Sequence, residues 1–99
     1  MILEIAEIEV KPSTEAAFEA GVAAAAPLFR GASGCLGLEL HRSVEFPSRY
    51  RLMVRWQTVE HHTVEFRGSE AFQKWRALVG GYFAGTPRVE HVACALHAF

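Results

Sequence analysis

The fold of this chain is indicated by residues 35–56, CLGLELHRSVEFPSRYRLMVRW. After Cys35, the apolar residues Leu36, Leu38 and Leu40 alternate with Gly37, Glu39 and His41. Apolar and polar side chains alternate again from Tyr50 to Trp56, and both runs have the period-two pattern of a strand with one buried face. The tripeptide at 46–48, Phe-Pro-Ser, lies between the two runs and is typical of a turn. This stretch therefore predicts a β-hairpin whose second strand ends at a tryptophan.

The residues before the hairpin predict a strand followed by a helix. Ile2–Val10 is rich in β-branched residues and alternates apolar with acidic side chains. Ser13 is a suitable N-cap for a helix in the alanine-rich stretch that follows, and Gly31–Gly34 ends it. Pro27 is expected to disturb the last turn of this helix, because proline lacks a backbone donor. The predicted apolar stripe consists of Phe18, Val22, Ala25 and Phe29.

The residues after the hairpin predict a broken helix and a last strand. Thr58 can cap a short helix that reaches Phe66, and Gly68 interrupts it. Ser69 caps a second piece, and a final strand follows at about residues 88–96. The order β-α-β-β-α-β is that of the ferredoxin-like fold. We therefore predict an α+β fold with a four-stranded antiparallel sheet and both helices on one face, in a single domain over residues 1–99.

Composition and charge exclude several classes of partner. The formal net charge is −1, from ten basic and eleven acidic residues, which argues against binding to nucleic acid or to an anionic membrane. The start of the chain is acidic where a secretory signal is basic, and no stretch is long enough to cross a bilayer. Cys35 and Cys94 lack metal-ligand spacing and would lie at opposite edges of the sheet. We expect a cytoplasmic protein with reduced thiols.

The face of the predicted sheet opposite the helices is too apolar to remain exposed to solvent. Met53 points to it, and the last strand, VEHVACALHAF, is apolar on both sides. A partner burying a standard ~800 Å² per subunit would supply roughly 20 kcal/mol of gross apolar transfer, most of which the costs of association offset. We therefore predict a homodimer with two sheets face to face. The acidic Glu7 and Glu9 and the basic Arg51 and Arg55 of that face either pair across strands or subunits, or are solvated at its rim.

The adjacent histidines do not predict a metal site. Neighbouring residues on a helix diverge by about 100°, so His61 and His62 cannot both face one ion. His61 and Glu65 have a suitable spacing, but no third ligand lies nearby in sequence. We expect no metal, and we interpret His61 as a solvated residue that pairs with Glu65. His91 and His97, which share a face of the last strand, are interpreted as partly exposed strand residues.

The chain resembles the antibiotic biosynthesis monooxygenase family of dimeric α+β barrels. The resemblance lies in the order of elements and in the segment SGCLGLELHRSVEFPSRYRLMVRWQTVEHHTVEFRGSEAFQKW. Its most recognisable parts are Gly34-Cys35 before the second strand, the strand ending in Trp56, and the helix that contains Phe72. The family includes cofactor-free quinol or anthrone oxygenases, haem-degrading enzymes and proteins of unknown role, so the resemblance implies the fold more strongly than the activity.

The haem-degrading branch matches this sequence poorly. Its members resemble the chain at Trp56, but they also use an asparagine on the first strand and an axial histidine ten residues beyond the tryptophan. Here the first strand has no asparagine and the tenth position is Phe66, so haem would lose its axial nitrogen unless His62 replaced it. The haem reading is therefore kept as a lesser alternative.

The cofactor-free branch matches better. Its pocket tryptophan aligns with Trp56, its tyrosine falls at His62, its arginine at Arg76 and its asparagine at Leu52. The resemblance thus implies that His62, with an ordinary pKa near ~6.5, is a general base, and that Arg76 holds a phenolate or enolate oxygen. Alternatively, His62 is a neutral core histidine that satisfies a backbone group, and Arg76 is an ordinary helix residue.

The aromatic residues around these positions are candidates for the pocket wall. Trp56 and Leu52 would line it, together with further rings at Phe66, Phe72, Tyr82 and Phe83. The glycine-rich loop at 80–85 is a possible lid. We expect a homodimeric, cofactor-independent monooxygenase that oxidises an aromatic, anthrone or quinol-like small molecule with O₂. The alternative is a non-catalytic small-molecule-binding or stress-associated barrel.

Overall fold

The computed structural model describes residues 1–99 and has the predicted order of elements. The strands are β1 (Ile2–Glu9), β2 (Cys35–Arg42), β3 (Arg49–Trp56) and β4 (Arg88–Val92), and the α-helices are α1 (Glu15–Arg30) and α2 (Glu70–Val79). A π-helix (His61–Phe66) precedes α2, and a 3₁₀ turn (Gly80–Tyr82) follows it. The strands form one antiparallel sheet in the order β2-β3-β1-β4. The predicted ferredoxin-like α+β fold is therefore confirmed.

The hydrophobic core lies between one face of the sheet and the helices. The predicted stripe of α1, from Phe18 to Phe29, is buried. It packs with side chains of the central strands, among them Ile8, Tyr50 and Val54. Burial of these apolar surfaces is the main favourable term in folding. None of the helices is long and apolar enough to cross a membrane.

The hairpin of β2 and β3 contains a β-bulge that the alternating pattern did not indicate. Cys35 lies opposite Trp56 and Gly37 lies opposite Arg55, so Leu36 is the extra residue. Its side chain is 52% exposed, whereas the next apolar residues of β2 turn toward the helices. A bulge lets the strand bend at the sheet edge while the rest of the register is kept.

Two expectations for α1 are wrong. Ser13 is not the N-cap; it adopts φ 71°, and the residue before the helix is Thr14, whose hydroxyl donates to the Lys11 carbonyl at 2.6 Å instead of capping. Pro27 does not disturb the last turn, because α1 continues to Arg30. Pro27 and Ala23 are both exposed, so water can solvate the Ala23 carbonyl that proline cannot bond.

The short helix after Trp56 is a π-helix. The backbone N–H of Arg67 donates to the His62 carbonyl, five residues earlier, at 3.0 Å. Thr58 serves at its start as predicted, because its hydroxyl accepts from the His61 N–H at 3.3 Å. Ser69 likewise caps α2 by accepting from the Phe72 N–H at 3.2 Å. Such π-turns are rare and occur frequently at functional sites.

The last strand is shorter than predicted. β4 ends at Val92, opposite Leu3, and residues 93–99 are exposed and form no strand. β1 begins at Ile2, so almost no further neighbour is available to pair with the chain beyond Val92. The apolar side chains of this tail, such as Leu96 and Phe99, are fully open.

The sheet face opposite the helices carries cross-strand ion pairs. Glu7 lies 3.8 Å from Arg51, and Glu9 accepts a hydrogen bond from Arg49 at 2.8 Å. Arg55 pairs with Glu39 of the neighbouring strand at 3.0 Å. Of the two arrangements expected for these charges, the structure therefore contains pairing between strands of one chain. Exposed pairs of this kind contribute little stability individually.

Candidate functional site

A cavity of about 540 Å³ lies between the sheet and the helix layer. This volume is within the range of about 300–1,000 Å³ that is typical of small-molecule sites. Its floor is formed by residues of β1 and β3, and its walls by the π-helix, α2 and the loop before β4. Five of the eight residues that the sequence predicted for the pocket line this cavity: Leu52, His62, Phe72, Arg76 and Phe83.

The other three candidates lie outside the cavity wall. Trp56 is fully buried directly behind His62, and Phe66 is packed beside both of them. Tyr82 lies on the far side of the loop, near Gly21 of α1. Trp56 therefore supports the wall from behind, while Tyr82 is separate from the group.

A glutamate that sequence reasoning did not select lies at the deep end of the cavity. Glu4 lines the cavity and is only 5% exposed. The indole Nε1–H of Trp56 donates to Glu4 Oε1 at 3.0 Å. A signal for this residue was present, because the alternation of β1 puts Glu4 in register with the buried Ala6 and Ile8. An acidic residue in an otherwise apolar register is the feature to look for.

His62 is held among three side chains. Its ring stacks on Trp56 with a centroid distance of 5.5 Å and an interplanar angle of 17°. Its Nε2 lies 3.4 Å from Glu4 Oε1, and its Nδ1 lies 2.8 Å from His91 Nε2. These partners are side chains, so His62 does not merely satisfy a backbone group. His91 was interpreted as a partly exposed strand residue; it does lie half-buried in β4, and it also takes part in this contact.

The meeting of these residues follows from the pairing of the strands. His91 of β4 is the antiparallel partner of Glu4 in β1. The π-helix directs His62 inward over this pair, with Phe66 buried on the same side. Three titratable side chains that are far apart in sequence thereby come together under Trp56.

Burial dominates the electrostatics of this group. It raises the pKa of Glu4, although the Trp56 hydrogen bond and the positive charge of Arg67 act in the opposite direction. It also lowers the pKa of His62 to about 4, and Arg67 and His91 add to that effect. His62 is therefore neutral at pH 7, and its pKa departs from the ordinary value that sequence reasoning assumed.

Two arginines stand at the opening of the cavity. Arg67 follows the π-helix, and Arg76 of α2 has its guanidinium carbon 5.9 Å from the centre of the Phe72 ring. Both are exposed. A guanidinium group is always charged and donates up to five hydrogen bonds, so this opening suits an anionic or carbonyl oxygen.

The glycine-rich loop is tied to the end of β1. The Ala84 N–H donates to the Glu9 carbonyl at 2.8 Å, and the Lys11 N–H donates to the Tyr82 carbonyl at the same distance. Phe83, between them, forms an isolated bridge with Val10. These bonds anchor the loop to the end of β1, and Phe83 lines the cavity.

The structure contains no group of three side chains that could hold a metal ion. His61 lies 3.4 Å from Glu65, as predicted, and its Nδ1 contacts the Thr58 hydroxyl at 2.7 Å. For haem, His62 is the histidine at the cavity, and both of its ring nitrogens face protein partners. An axial bond would require His62 to give up one of them.

A larger hollow of about 810 Å³ lies on the opposite face of the sheet. Charged side chains, including Glu7, Arg51 and Arg88, make up much of its lining. It has no buried titratable group and no aromatic wall. The cavity between the layers is therefore the better candidate for small-molecule chemistry.

Comparison with known proteins assigns the chain to a family. Residues 1–78 match the sequence profile of "Antibiotic biosynthesis monooxygenase". The uncharacterized protein YczJ of Bacillus subtilis (strain 168) is 37% identical over 91 residues, which are 92% of this chain and 96% of that protein. A crystal structure from Bordetella bronchiseptica, named for the same family, is 57% identical with a TM-score of 0.95, covering 96% of this chain and 97% of that one. SnoaB of Streptomyces nogalater, described as a cofactor-independent oxygenase, shares the fold at 14% identity with a TM-score of 0.82 over 98% of this chain and 95% of its own. The chain belongs to the antibiotic biosynthesis monooxygenase family.

Proposed function

We propose that this protein is a cofactor-independent monooxygenase that oxidises an aromatic, anthrone or quinol-like small molecule with O₂. The observation that carries the proposal is the cavity between the layers, which combines an aromatic and aliphatic wall with a buried titratable pair, Glu4 and His62, and with arginine at its opening. A ligand there would contact residues of the sheet, the π-helix, α2 and the loop before β4.

The proposed chemistry needs few groups from the protein. An electron-rich phenol, anthrone or hydroquinone becomes more reducing when it loses a proton, and its anion can then pass an electron to O₂. A nearby base and a stabiliser for the anion are sufficient. We propose that His62 belongs to the group that takes the proton, and that Arg76 holds the oxygen on which negative charge develops. Leu52, Phe72 and Phe83 would contact the apolar rings.

The same proposal includes a homodimer that works in the cytoplasm. Support comes from the open sheet face, where apolar side chains such as Ile5 and Met53 lie beside the hollow described above. The exposed Leu96 and Phe99 of the tail give further apolar surface to cover. Burial of such surface is the usual driving force for association.

Oxygen uptake with a panel of hydroquinones and 1,8-dihydroxyanthrone tests this function. The wild-type protein should consume O₂ and put one of its oxygen atoms into the product, as in the conversion of the anthrone to the anthraquinone. His62→Ala and Arg76→Ala should lower kcat/KM by about tenfold or more, the effect of losing a charged hydrogen bond or a base. His97→Ala and Arg30→Ala are matched controls, because neither residue lines the cavity.

Three other outcomes would contradict the proposal. Binding of these compounds without turnover would favour the non-catalytic binding protein. A Soret band on titration with hemin, lost in His62→Ala, would favour haem. Full activity in both cavity variants would show that the reaction takes place elsewhere.

A further inference from the structure

The carboxyl group of Glu4 has one engaged oxygen and one free oxygen. Trp56 donates to Oε1, and His62 Nε2 approaches that same atom. No hydrogen bond reaches Oε2. Every side-chain oxygen or nitrogen that is completely buried has a hydrogen-bond partner. Oε2 is therefore not completely sealed from solvent, and Glu4 is a lining residue of the cavity.

The hydrogen-bond pattern limits what His62 can do. One of His62 Nδ1 and His91 Nε2 must donate to the other, since they are 2.8 Å apart. An ionised Glu4 can only accept, so the proton of neutral His62 lies on Nε2 and points toward Glu4. Nδ1 of His62 then accepts a hydrogen bond from Nε2 of His91, and each contact has one donor and one acceptor. Neither nitrogen of neutral His62 is then free to accept a proton from a ligand.

We infer that Glu4 is the catalytic base of the site and that it takes the substrate proton on Oε2. Trp56 and His62 are positioning residues that hold Oε1, and His91 is a positioning residue that orients His62. This inference rests on the proposed oxygenase function and makes it more specific. The groups that face Glu4 from the surrounding elements are His62, Arg67, His91 and the Cys35 thiol of β2. Burial strengthens the carboxylate as a base, since it raises the pKa of Glu4.

The reaction of an anthrone balances with Glu4 as the only proton carrier. Glu4 removes one proton from the methylene carbon, and the resulting carbanion reduces O₂ to a peroxide anion bound to that carbon. The peroxide takes the proton back from Glu4. Glu4 then removes the second methylene proton while the O–O bond breaks, which leaves the new carbonyl and hydroxide, and the hydroxide becomes water with the proton held by Glu4. One oxygen atom enters the product and one leaves as water.

Glu4→Gln is the decisive variant. The amide keeps the size of the side chain and an oxygen that can accept from Trp56, but it cannot take a proton. With 1,8-dihydroxyanthrone, kcat/KM should fall by about 10²- to 10⁴-fold, the usual contribution of a positioned base. Binding of the product, 1,8-dihydroxyanthraquinone, measured by calorimetry, should change only a few-fold. Glu70→Gln makes the same chemical change at an exposed position of α2 and should leave turnover unaltered.

The pH–rate profile separates the base from its positioning residues. The acidic limb of kcat/KM should persist in His62→Gln, with a smaller loss of rate than in Glu4→Gln, and it should be absent in Glu4→Gln. Glu4→Asp keeps the carboxylate on a shorter side chain, so it should be intermediate in rate and retain the limb. This variant also keeps the test valid if the amide does not fold.

Two results would overturn the assignment of Glu4 as the base and leave the oxygenase function standing. The first is a Glu4→Gln protein that is as active as the active wild type. The second is an acidic limb of kcat/KM that survives in Glu4→Gln and disappears in His62→Gln. A wild-type protein that turns over none of the probes would reject the proposed function, and the assignment to Glu4 with it.

Discussion

His62 is a neutral imidazole that is kept neutral by its surroundings. Its side chain is nearly sealed from solvent, and a positive charge on its ring would be repelled by Arg67 and His91. Because its pKa is about 4 in the folded protein, and near ~6.5 in an unfolded chain, the unfolded state binds the more protons between these values. Stability therefore falls as pH decreases from about 6.5 to about 4.

A comparison of wild-type protein with His62→Gln isolates this effect. Between pH 7 and pH 4, the free energy of unfolding of the wild type should fall by on the order of 3 kcal/mol relative to that of His62→Gln. Glu4, whose pKa is raised, titrates in the opposite sense, so the slope of the wild type alone is not diagnostic. Urea denaturation at several pH values measures the difference. A difference that is constant with pH would contradict the assigned environment of His62.

At the scale of the elements, the turn before β2 and the π-helix after β3 depend on each other. Gly34 has φ +76°, and its carbonyl accepts from the Gln57 N–H at 2.8 Å, just beyond the end of β3. The ring of His61 lies directly against this glycine, so that a Cβ at position 34 would be 2.3 Å from it. The π-helix, which carries His62, is thus seated on the turn.

Gly34→Ala should destabilise the protein by about 1–3 kcal/mol, because a side chain with positive φ costs about 1–2 kcal/mol and the contact with His61 adds to it. For a chain of this size the midpoint of thermal unfolding should fall by several degrees. Gly81→Ala is the control, since nothing lies within 4 Å of its added carbon. Adding His61→Ala to Gly34→Ala should recover the steric part only. Equal melting temperatures for both glycine variants would disprove this account.

At the scale of the whole molecule, the two faces of the sheet have different roles. One face is covered by the helices and contains the core and the cavity. The other has a network of ion pairs around the half-buried Ile5 and Met53, which lie opposite each other on β1 and β3. Its charges pair within the chain, which leaves the apolar residues available to a second copy.

Sedimentation at micromolar concentration tests the homodimer. The wild-type protein should sediment as a dimer, and Met53→Lys should shift it toward monomer, because an unpaired charge at the centre of an interface is costly to desolvate. Val64→Lys introduces the same charge at an exposed position of the π-helix and should not change the mass. A monomeric wild type would reject the dimer.

Much of the fold could be predicted because its signals are local. The alternation of apolar residues in Ile2–Val10 and Tyr50–Trp56 and the stripe of α1 depend only on the periods of strand and helix. The errors occurred where longer-range contacts decide. β4 stops at Val92 because β1 offers it almost no further partner, and Leu36 leaves its register at a bulge.

The sequence by itself determined the order of elements, the buried faces and the family resemblance, since these follow from spacing along the chain. It also put His62, Arg76 and three of the lining residues forward. Only the tertiary structure decided that Glu4 and His91 join His62. The register of β1 and β4 pairs Glu4 with His91, which is 87 positions further along the chain, and the π-helix directs His62 toward them. It also decided the protonation of the group, because a pKa depends on burial and neighbouring charges, which no local pattern records.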